Sequence, residues 1–365
     1  MITVILFLII LSALVAVHEA GHLILAKWAG ARVREYAIGF PPRLFSRKFR
    51  GTEYSLNLTP LGGYVNIAGE EGVDDPNEED VPFNEKLSAK HPFKKILVLV
   101  AGVTANVILA WILLSITLMI GTFEAVPKGS VLPDGAKVMI LGTIPNSPAQ
   151  NAGVSVFDEI LKIESGEKSV NPKTAEEVVA FLEKYQDEKI NLTVLREGNE
   201  VQIKDLETVA GLSPDKKALG IGVETVVKKS YSFFVALYKG IDLTWETLKA
   251  ITVSAGHAFS NIFQGKGGLI EIAGPVGIGK IAGEARRLGL VSILNFAAFL
   301  SLDLAIINIL PFPALDGGRV VFTIFEWITG KRVPTKVSRA IHGAGFVLLI
   351  LLMIVVTIHD ISKFF

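Results

Sequence analysis

Apolar residues are concentrated in four segments of the chain, 2–28, 96–120, 290–310 and 341–358. Each segment is close to the length of about 20 residues that a helix needs to cross the hydrocarbon core of a bilayer. The first segment has no basic N-terminal region and no small-residue cleavage pattern, which favours a retained span over a signal peptide. The pattern therefore predicts an α-helical multi-pass membrane protein with about four transmembrane helices.

Basic residues near the ends of these segments predict the orientation of the chain in the membrane. Arg and Lys recur over 32–95, between the first two segments, and again over 331–339, before the last one. Both loops are therefore expected on the cytoplasmic side, with both termini outside. Arg286 and Arg287 favour the opposite orientation, but they belong to a long loop, and long loops cross the membrane with little regard to charge.

Polar and apolar residues alternate over 54–59 and 64–67, between the first two spans. This is the period of a half-buried strand, and the intervening TPLGG at 59–63 is typical of a turn. The pattern predicts a β-hairpin that lies against the membrane or dips into it, although a hairpin on the protein surface fits equally well. The acidic, proline-containing stretch that follows is expected to be a solvated linker.

The segment 126–225, between the second and third spans, predicts one small α+β domain. A helical stretch at 174–185 stands among strand-like runs at 137–141, 159–163, 191–195 and 201–205. An amphipathic helical stretch follows and carries aromatic side chains at Phe233, Phe234, Tyr238 and Trp245. It is expected to lie along the outer membrane interface, with packing on the soluble domain as the alternative.

The composition limits the partners and the metal ligands that the protein can use. Half of the 365 residues are hydrophobic, the 36 Lys and Arg residues equal the 36 Asp and Glu residues in number, and there is no Cys. Balanced charge argues against nucleic acid as a partner. Any metal must be bound by His, Asp or Glu. The segment 274–281 nearly matches a phosphate loop but ends in Ile281 instead of Ser or Thr, so no nucleotide is expected.

The first span contains HEAGH at 18–22, which matches the pattern H-E-x-x-H. On a helix, His18 and His22 share one face and can bind one zinc ion, while Glu19 reaches its water. Ionisable groups are costly in hydrocarbon unless they find a partner, water or a metal, so two solvated histidines do not explain the pattern. The sequence therefore predicts a metal site inside the first span.

A catalytic zinc ion needs a third protein ligand and an open position. The third span ends in SLDLAIINILPFPALDGG, where Pro311 and Pro313 break the helix and free backbone for a polar pocket. Asp316 follows them and is the best candidate for the third ligand, with a helix N-cap as its alternative role. His91, beside basic neighbours, is expected to be an interface residue. The other histidines lie outside any ligand spacing and are expected to be non-catalytic: His257, His342 and His359.

With these residues the chain resembles the bacterial site-2 proteases, which are zinc intramembrane metalloproteases. The resemblance covers nearly the whole chain and is carried by HEAGH, PLGGYV, AGPVGIG and NILPFPALDGG. It implies that His18, His22 and Asp316 bind Zn²⁺, that Glu19 is the general base, and that Asn308 contacts the substrate. IPNSPAQNAGVSVFDEILKIESGE resembles the core of a single PDZ domain. The resemblance also implies a bacterial cytoplasmic membrane protein with this domain outside.

The implied reaction is hydrolysis of a peptide bond in or near the transmembrane segment of a single-span substrate, such as an anti-sigma factor or a signal-peptide remnant. A helical substrate must unwind first, and an edge strand of the hairpin can then pair with it by β-augmentation. This assigns substrate contacts to hairpin residues Ser55, Leu56, Asn57, Leu58, Gly62, Gly63 and Tyr64. The lipid bilayer is the other expected partner.

The chain departs from the family pattern at two places. GFPP at 39–42 stands where the family commonly has G-F-G-P, and Asp303 stands where it commonly has Asn. Asp303 is either an extra zinc ligand or a substrate contact whose protonated carboxyl donates the hydrogen bond of the usual Asn. The second interpretation is preferred, because two imidazoles, one carboxylate and water already complete a tetrahedral site.

The predicted domains are transmembrane helix 1 with HExxH (1–30), a cytoplasmic-side loop with the hairpin and acidic linker (31–93), transmembrane helix 2 (94–122), the extracytoplasmic PDZ-like domain (123–226), the amphipathic interfacial helix with a GPVGIG loop (227–288), transmembrane helix 3 with its following segment (289–337) and transmembrane helix 4 (338–361).

Two other functions remain open. A zinc transporter or sensor explains the ligands but not Glu19. A catalytically inactive membrane adaptor does not explain an intact ligand set.

Overall fold

The computed structural model describes residues 2–70, 81–144, 146–196, 198–213, 216–264 and 274–364. The chain divides into two compact units. The helical unit comprises Met1–Thr117 and Phe233–Phe365, and the sheet unit comprises Leu118–Ser232. Most of the predicted acidic linker, at 71–80, lies outside the described residues.

Four helices are long and apolar enough to cross a membrane: α1 (Ile2–Trp28), α2 (Pro92–Ile120), α7 (Leu290–Ile309) and α9 (Thr335–Phe364). The four predicted spans are confirmed as candidate membrane-spanning helices. Large apolar side chains remain exposed along them, and a helix that is apolar all round suits a hydrocarbon environment better than water.

Three further helices belong to the helical unit: α5 (Phe233–Phe263), α6 (Pro275–Arg287) and α8 (Asp316–Thr329). The predicted amphipathic helix is α5. It packs on α2 and α7, where Ile251 joins a core with Leu302 and the Trp111 Nε1–H donates to the Leu237 carbonyl at 2.9 Å. Its location at the outer interface stays a prediction.

The prediction of a GPVGIG loop is wrong, because these residues begin α6. Gly274 is the N-cap, and the Gly277 backbone N–H donates to Asp360 Oδ2 at 2.9 Å. The carboxylate from α9 therefore replaces the capping side chain that Gly274 lacks. A Cβ at position 274 would approach that Oδ2 to 2.7 Å, so glycine is required for this contact.

Two long strands, β1 (Val33–Phe49) and β2 (Thr52–Ile67), form a separate antiparallel pair in the helical unit. They join at Arg50 and Gly51, whose φ angles are 48° and 80°. Residues 33–40 pair with 59–67, and 43–49 pair with 52–57. In addition, residues 35–38 pair in parallel with 53–56. Strands β1 and β2 therefore each fold back on themselves, and together they form one β-layer.

The predicted turn at TPLGG is confirmed. Residues 53–56 run parallel to 35–38 and 63–66 run antiparallel to them, so β2 reverses its direction between Leu56 and Gly63. The predicted pairing of the two arms of the hairpin is wrong, because 35–38 lie between them. The true partner strand, β1, escaped prediction because its Pro41-Pro42 and its Arg residues conceal the strand pattern.

The sheet unit contains the predicted strands and helix. The order of the main sheet is β3-β11-β4-β5-β7-β8, with β6 beside β5 and a separate β9–β10 pair. The strands are β3 (Thr122–Ala125), β4 (Lys137–Thr143), β5 (Glu159–Ser165), β6 (Lys168–Val170), β7 (Ile190–Arg196), β8 (Asn199–Leu206), β9 (Val209–Ser213), β10 (Lys216–Ala218) and β11 (Ile221–Lys229). The helices are α3 (Pro148–Asn151) and α4 (Ala175–Lys184). Ile140, Ile163, Val178 and Leu192 are among its fully buried core residues.

Candidate metal centre

The two histidines of the first span face the same point. They lie one helical turn apart on α1, are 7% and 6% exposed, and their Nε2 atoms are 3.2 Å apart. Gly102 of α2 lies against both rings, and a Cβ there would approach His18 Nε2 to 2.6 Å and His22 Nε2 more closely still. Glycine at this position therefore leaves the space that a shared ligand of the two rings needs.

Asp316 brings a carboxylate to the same point. Its Oδ2 lies 3.0 Å from His18 Nε2 and 3.3 Å from His22 Nε2. Asp316 is the first residue of α8, and the N-cap is Leu315, so the alternative role as an N-cap is wrong. The approach of the Asp316 carboxylate to the two histidines depends on Gly317 and Gly318. A Cβ on either glycine would collide with backbone carbonyls at the end of α7 and in the turn that follows it.

One ligand atom from each of His18, His22 and Asp316 lies within 4.8 Å of the others. Among the described residues this is the only such group of His, Asp or Glu. Two imidazole nitrogens and one carboxylate oxygen in a buried setting are a donor set that suits zinc and leaves a fourth position open. The residues present therefore fit a catalytic zinc ion.

Each histidine also has a partner at its other ring nitrogen. His22 Nδ1 lies 2.8 Å from the Val98 carbonyl, so Nδ1 carries the proton and Nε2 is left as a ligand. His18 Nδ1 lies 3.4 Å from Nδ2 of the fully buried Asn106. The sequence reasoning missed Asn106, although its signal was present: a single carboxamide in an otherwise apolar span.

The remaining predicted catalytic and substrate residues lie on the same helices. Glu19 is half-buried on α1, and His22, His18, Asp316 and Glu70 act on it electrostatically. Asn308 and Asp303 are half-buried on α7. Neither belongs to the group of three ligand residues.

Asp303 and Asn308 differ in the face of α7 that they occupy. Asn308 follows Ser301 by seven residues, so it shares the face on which Ser301 Oγ donates to the Asn106 carbonyl at 2.8 Å. Asp303 instead lies one turn from both Phe299 and Ile307, which are exposed. The structure thus places Asn308 on the α2-facing side and Asp303 on an exposed stripe.

The predicted substrate residues of the first half of β2 alternate in burial. Ser55 and Asn57 are buried within the layer, where Ser55 Oγ donates to the Glu35 carboxylate and Asn57 Nδ2 donates to the Gly39 carbonyl at 3.0 Å. Leu56 and Leu58 are 48% and 56% exposed. This part of β2 therefore hides its polar side chains and exposes its apolar ones.

This segment is not an edge strand. Residues 53–56 lie between 35–38 and 43–49, so the expectation of an open backbone edge at Ser55, Leu56, Asn57 and Leu58 is wrong. The edges of the layer are 43–49 and 59–67. The cause is the unpredicted β1, which covers both sides of this part of β2.

Gly62, Gly63 and Tyr64 do belong to an edge, 59–67, which runs beside α1. Ser12 Oγ of α1 donates to the Pro60 carbonyl at 2.6 Å. Burial, together with the neighbouring Glu35 carboxylate, raises the pKa of the Tyr64 phenol. Tyr64 therefore keeps its proton at neutral pH and faces the Glu35 carboxylate at this edge.

Two contacts that the sequence did not predict hold the backbone around Asp316. Arg319, one turn further along α8, forms an ion pair with Glu70, directly after β2. His342 Nδ1 of α9 accepts from the Ala314 backbone N–H at 2.9 Å. His342 was expected to be non-catalytic, and this contact gives it a structural role beside the metal centre.

The sequence matches the model of Peptidase family M50 over residues 6–352. The chain belongs to the M50 peptidase family. A Clostridium perfringens protein named as a candidate zinc metalloprotease is 35% identical over 97% of both chains. The zinc metalloprotease RasP of Geobacillus kaustophilus is 30% identical over 100% of this chain and 98% of that one. The regulator of sigma-W protease RasP of Bacillus subtilis is 29% identical over 100% and 99%. This M50 member is a bacterial zinc metalloprotease of the membrane.

Proposed function

We propose that the protein is an intramembrane endopeptidase of the site-2 type, which hydrolyses peptide bonds in or near the transmembrane segments of single-span substrates. His18, His22 and Asp316 would hold its zinc ion. One observation carries the proposal: three ligand atoms converge within 4.8 Å of one another, and two of them belong to a helix of membrane-spanning length. A bond inside a membrane segment is the substrate that such a buried centre is suited to meet.

Several residues of the chain have separate roles in the proposed hydrolysis. A zinc ion bound here activates water and polarises the scissile carbonyl. Glu19 follows His18 directly and accepts the proton of the attacking water, which it then delivers to the leaving amine. The Val98 carbonyl holds the His22 ring in its orientation. Asn308, on the face of α7 that looks towards α2, contacts the substrate near the scissile bond.

The β1–β2 layer would receive the substrate. Its exposed apolar side chains include Phe40, Leu44, Phe45, Phe49, Leu56 and Leu58, and exposed apolar side chains that recur in this way favour a membrane or partner contact. We place this surface against the bilayer. An unwound substrate segment then pairs with the edge 59–67, where Gly62, Gly63 and Tyr64 lie, by β-augmentation. Ser55 and Asn57 shape the layer from inside.

The name of one relative supports a substrate class. It is called the regulator of sigma-W protease RasP, which favours membrane-anchored regulators such as anti-sigma factors, with signal-peptide remnants as a related class. The sheet unit would act as a PDZ-like domain outside the cytoplasmic membrane, with both termini on the same side. It would exclude substrates that carry bulky outer domains.

Cleavage of a tagged single-span substrate by the purified protein tests this proposal. Mass spectrometry of the fragments should locate one main cut in or beside the span, and a chelator should abolish the cut until zinc is returned. A matched substrate whose span is replaced by a soluble linker should stay intact. Zinc uptake into vesicles without any cleavage would instead support the transporter.

A further inference from the structure

Asn106 is the only polar side chain described at the outer nitrogen of His18. It is fully buried on α2, and its Nδ2 lies 3.4 Å from His18 Nδ1. Its Oδ1 is buried and has no hydrogen-bond partner among the described residues. A buried carbonyl oxygen without a partner is costly, so such an atom calls for a specific reason.

A rotation of the amide exchanges its two ends and supplies that reason. With Nδ2 towards the ring, Asn106 donates to Nδ1, and the ring proton sits on Nε2, which then donates to Asp316 Oδ2 at 3.0 Å. With Oδ1 towards the ring, the amide accepts a hydrogen bond from Nδ1–H, and Nε2 then carries a free lone pair that faces His22 and Asp316. A ligand histidine needs the second arrangement.

The Asn106 backbone is held in place as well. Ser301 Oγ of α7, itself fully buried, donates to the Asn106 carbonyl at 2.8 Å. The amide is therefore free to rotate about its side chain while its Cα stays fixed between α1 and α7. The arrangement mirrors that at His22, where the Val98 carbonyl performs the same task without any rotation.

We propose that Asn106 is a positioning residue for the metal centre, which accepts a hydrogen bond from Nδ1–H of His18 and so presents Nε2 as a ligand. The inference rests on the proposed zinc site. It adds that the Asn106 amide can bond either tautomer of the His18 ring, the one without metal through Nδ2 and the metal-bound one through Oδ1. A carboxylate at position 106 would serve the metal-bound tautomer alone, and an aliphatic side chain would serve neither.

Metal binding by the full-length protein tests this without any protease assay. Zinc affinity is measured by competition with a chromophoric chelator, and the Co²⁺-substituted proteins are compared by visible absorption. Asn106→Leu should weaken zinc binding by roughly ten- to a hundredfold, the usual effect of losing such a partner. Asn106→Asp should bind at least as tightly as the native chain, with a tetrahedral Co²⁺ spectrum.

Ser115→Ala is the matched control, because Ser115 is a buried polar residue on the same helix whose Oγ bonds only its own turn, at the Trp111 carbonyl. It should bind zinc as the native chain does. The proposal is overturned if Asn106→Leu keeps the native affinity for zinc. It is also overturned if Asn106→Asp binds zinc tenfold more weakly than the native chain. The second comparison remains valid even where the Leu variant does not fold. A native chain that binds no zinc would instead overturn the proposed function itself.

Discussion

Buried carboxylates are treated differently in the two units. In the sheet unit, Asp158 is almost fully buried and is completely paired: Arg196 donates to both of its oxygens at 2.8 and 2.7 Å, and the Ser155 N–H donates at 2.9 Å. In the helical unit, Asp316 meets His18 and His22, and the three ligand atoms point at one another. Both units obey the rule that buried polar groups need partners.

The two carboxylates differ in the kind of partner that they meet. Around Asp158 the partners are hydrogen-bond donors, Arg196 and the Ser155 N–H, which satisfy both carboxylate oxygens, so the role of this network is stability. Around Asp316 three atoms able to donate electron pairs share a single point, an arrangement that a cation completes. Buried charge alone therefore does not identify a functional site. Convergence of several ligand atoms on one point does, and the predictions below test that distinction.

The largest expected effect separates Glu19 from the ligands beside it. Glu19→Gln should lower cleavage at least about a hundredfold, because an amide cannot accept the proton of the attacking water. Zinc content should stay that of the native chain, since Glu19 is not among the converging residues. Fragment mass spectrometry and metal analysis of the same preparation check both points. Undiminished turnover by zinc-loaded protein would refute the role of Glu19.

Asp316→Asn should reduce zinc affinity and cleavage together, because an amide oxygen is a poorer ligand for zinc than a carboxylate. The expected loss of affinity is roughly ten- to a hundredfold, measured by chelator competition. If metal content and activity both survive, Asp316 is not a ligand, and the convergence on α8 has another meaning.

Asp158→Asn is the counterpart in the sheet unit. It should destabilise that unit by about 1–3 kcal/mol, because it weakens a charged hydrogen-bond pair and leaves Arg196 without its anion. Zinc affinity should not change. Hydrogen exchange of the β5 and β7 amides, followed by mass spectrometry, reports the local effect. Asp187→Asn is the control, since Asp187 pairs with Lys217 while largely exposed and should leave exchange unaltered.

Deletion of 131–219 tests whether the sheet unit filters substrates. The cut leaves β3 paired with β11, and the Val126 N–H still donates to the Thr225 carbonyl at 2.8 Å, so the two new ends lie on neighbouring strands. Substrates with bulky outer domains should become cleavable, while short substrates are cut as before. A folded, zinc-loaded deletion protein that cuts no substrate would show that this unit is needed for cleavage itself.

The convergence of His18, His22 and Asp316 was predictable because its signals are local. The spacing of His18 and His22 fixes a shared helical face, and Pro311 and Pro313 mark the break that precedes Asp316. The partners of these three side chains could not be assigned from the sequence, although Asn106 stands out as a carboxamide in an otherwise apolar span. Asn106 has no spacing relation to His18, and only the packing of α2 on α1 brings the two together.

The fold shows the same division between local and long-range signals. The four spans and the strands of the sheet unit follow from periodicity and length along the chain. The β1–β2 layer does not, because its register depends on pairing between residues far apart and its apolar face is turned outward. Alternation along β2 was recognised, but it does not reveal which face is buried when the surroundings are not water.

The smallest expected effect concerns Asp303, on the exposed stripe of α7 with Phe299 and Ile307. Within the described part of the chain it makes no hydrogen bond or ion pair, and it lies outside the group of three ligands. Asp303→Asn should therefore keep both zinc content and cleavage rate, because the amide preserves size and supplies a donor to a bound substrate. Asp303→Leu should keep zinc but slow cleavage, because a substrate backbone then loses its partner. Metal analysis and substrate cleavage of both variants separate the two roles. Loss of stoichiometric zinc from Asp303→Asn would make Asp303 a ligand, and full activity of Asp303→Leu would remove it from the substrate path.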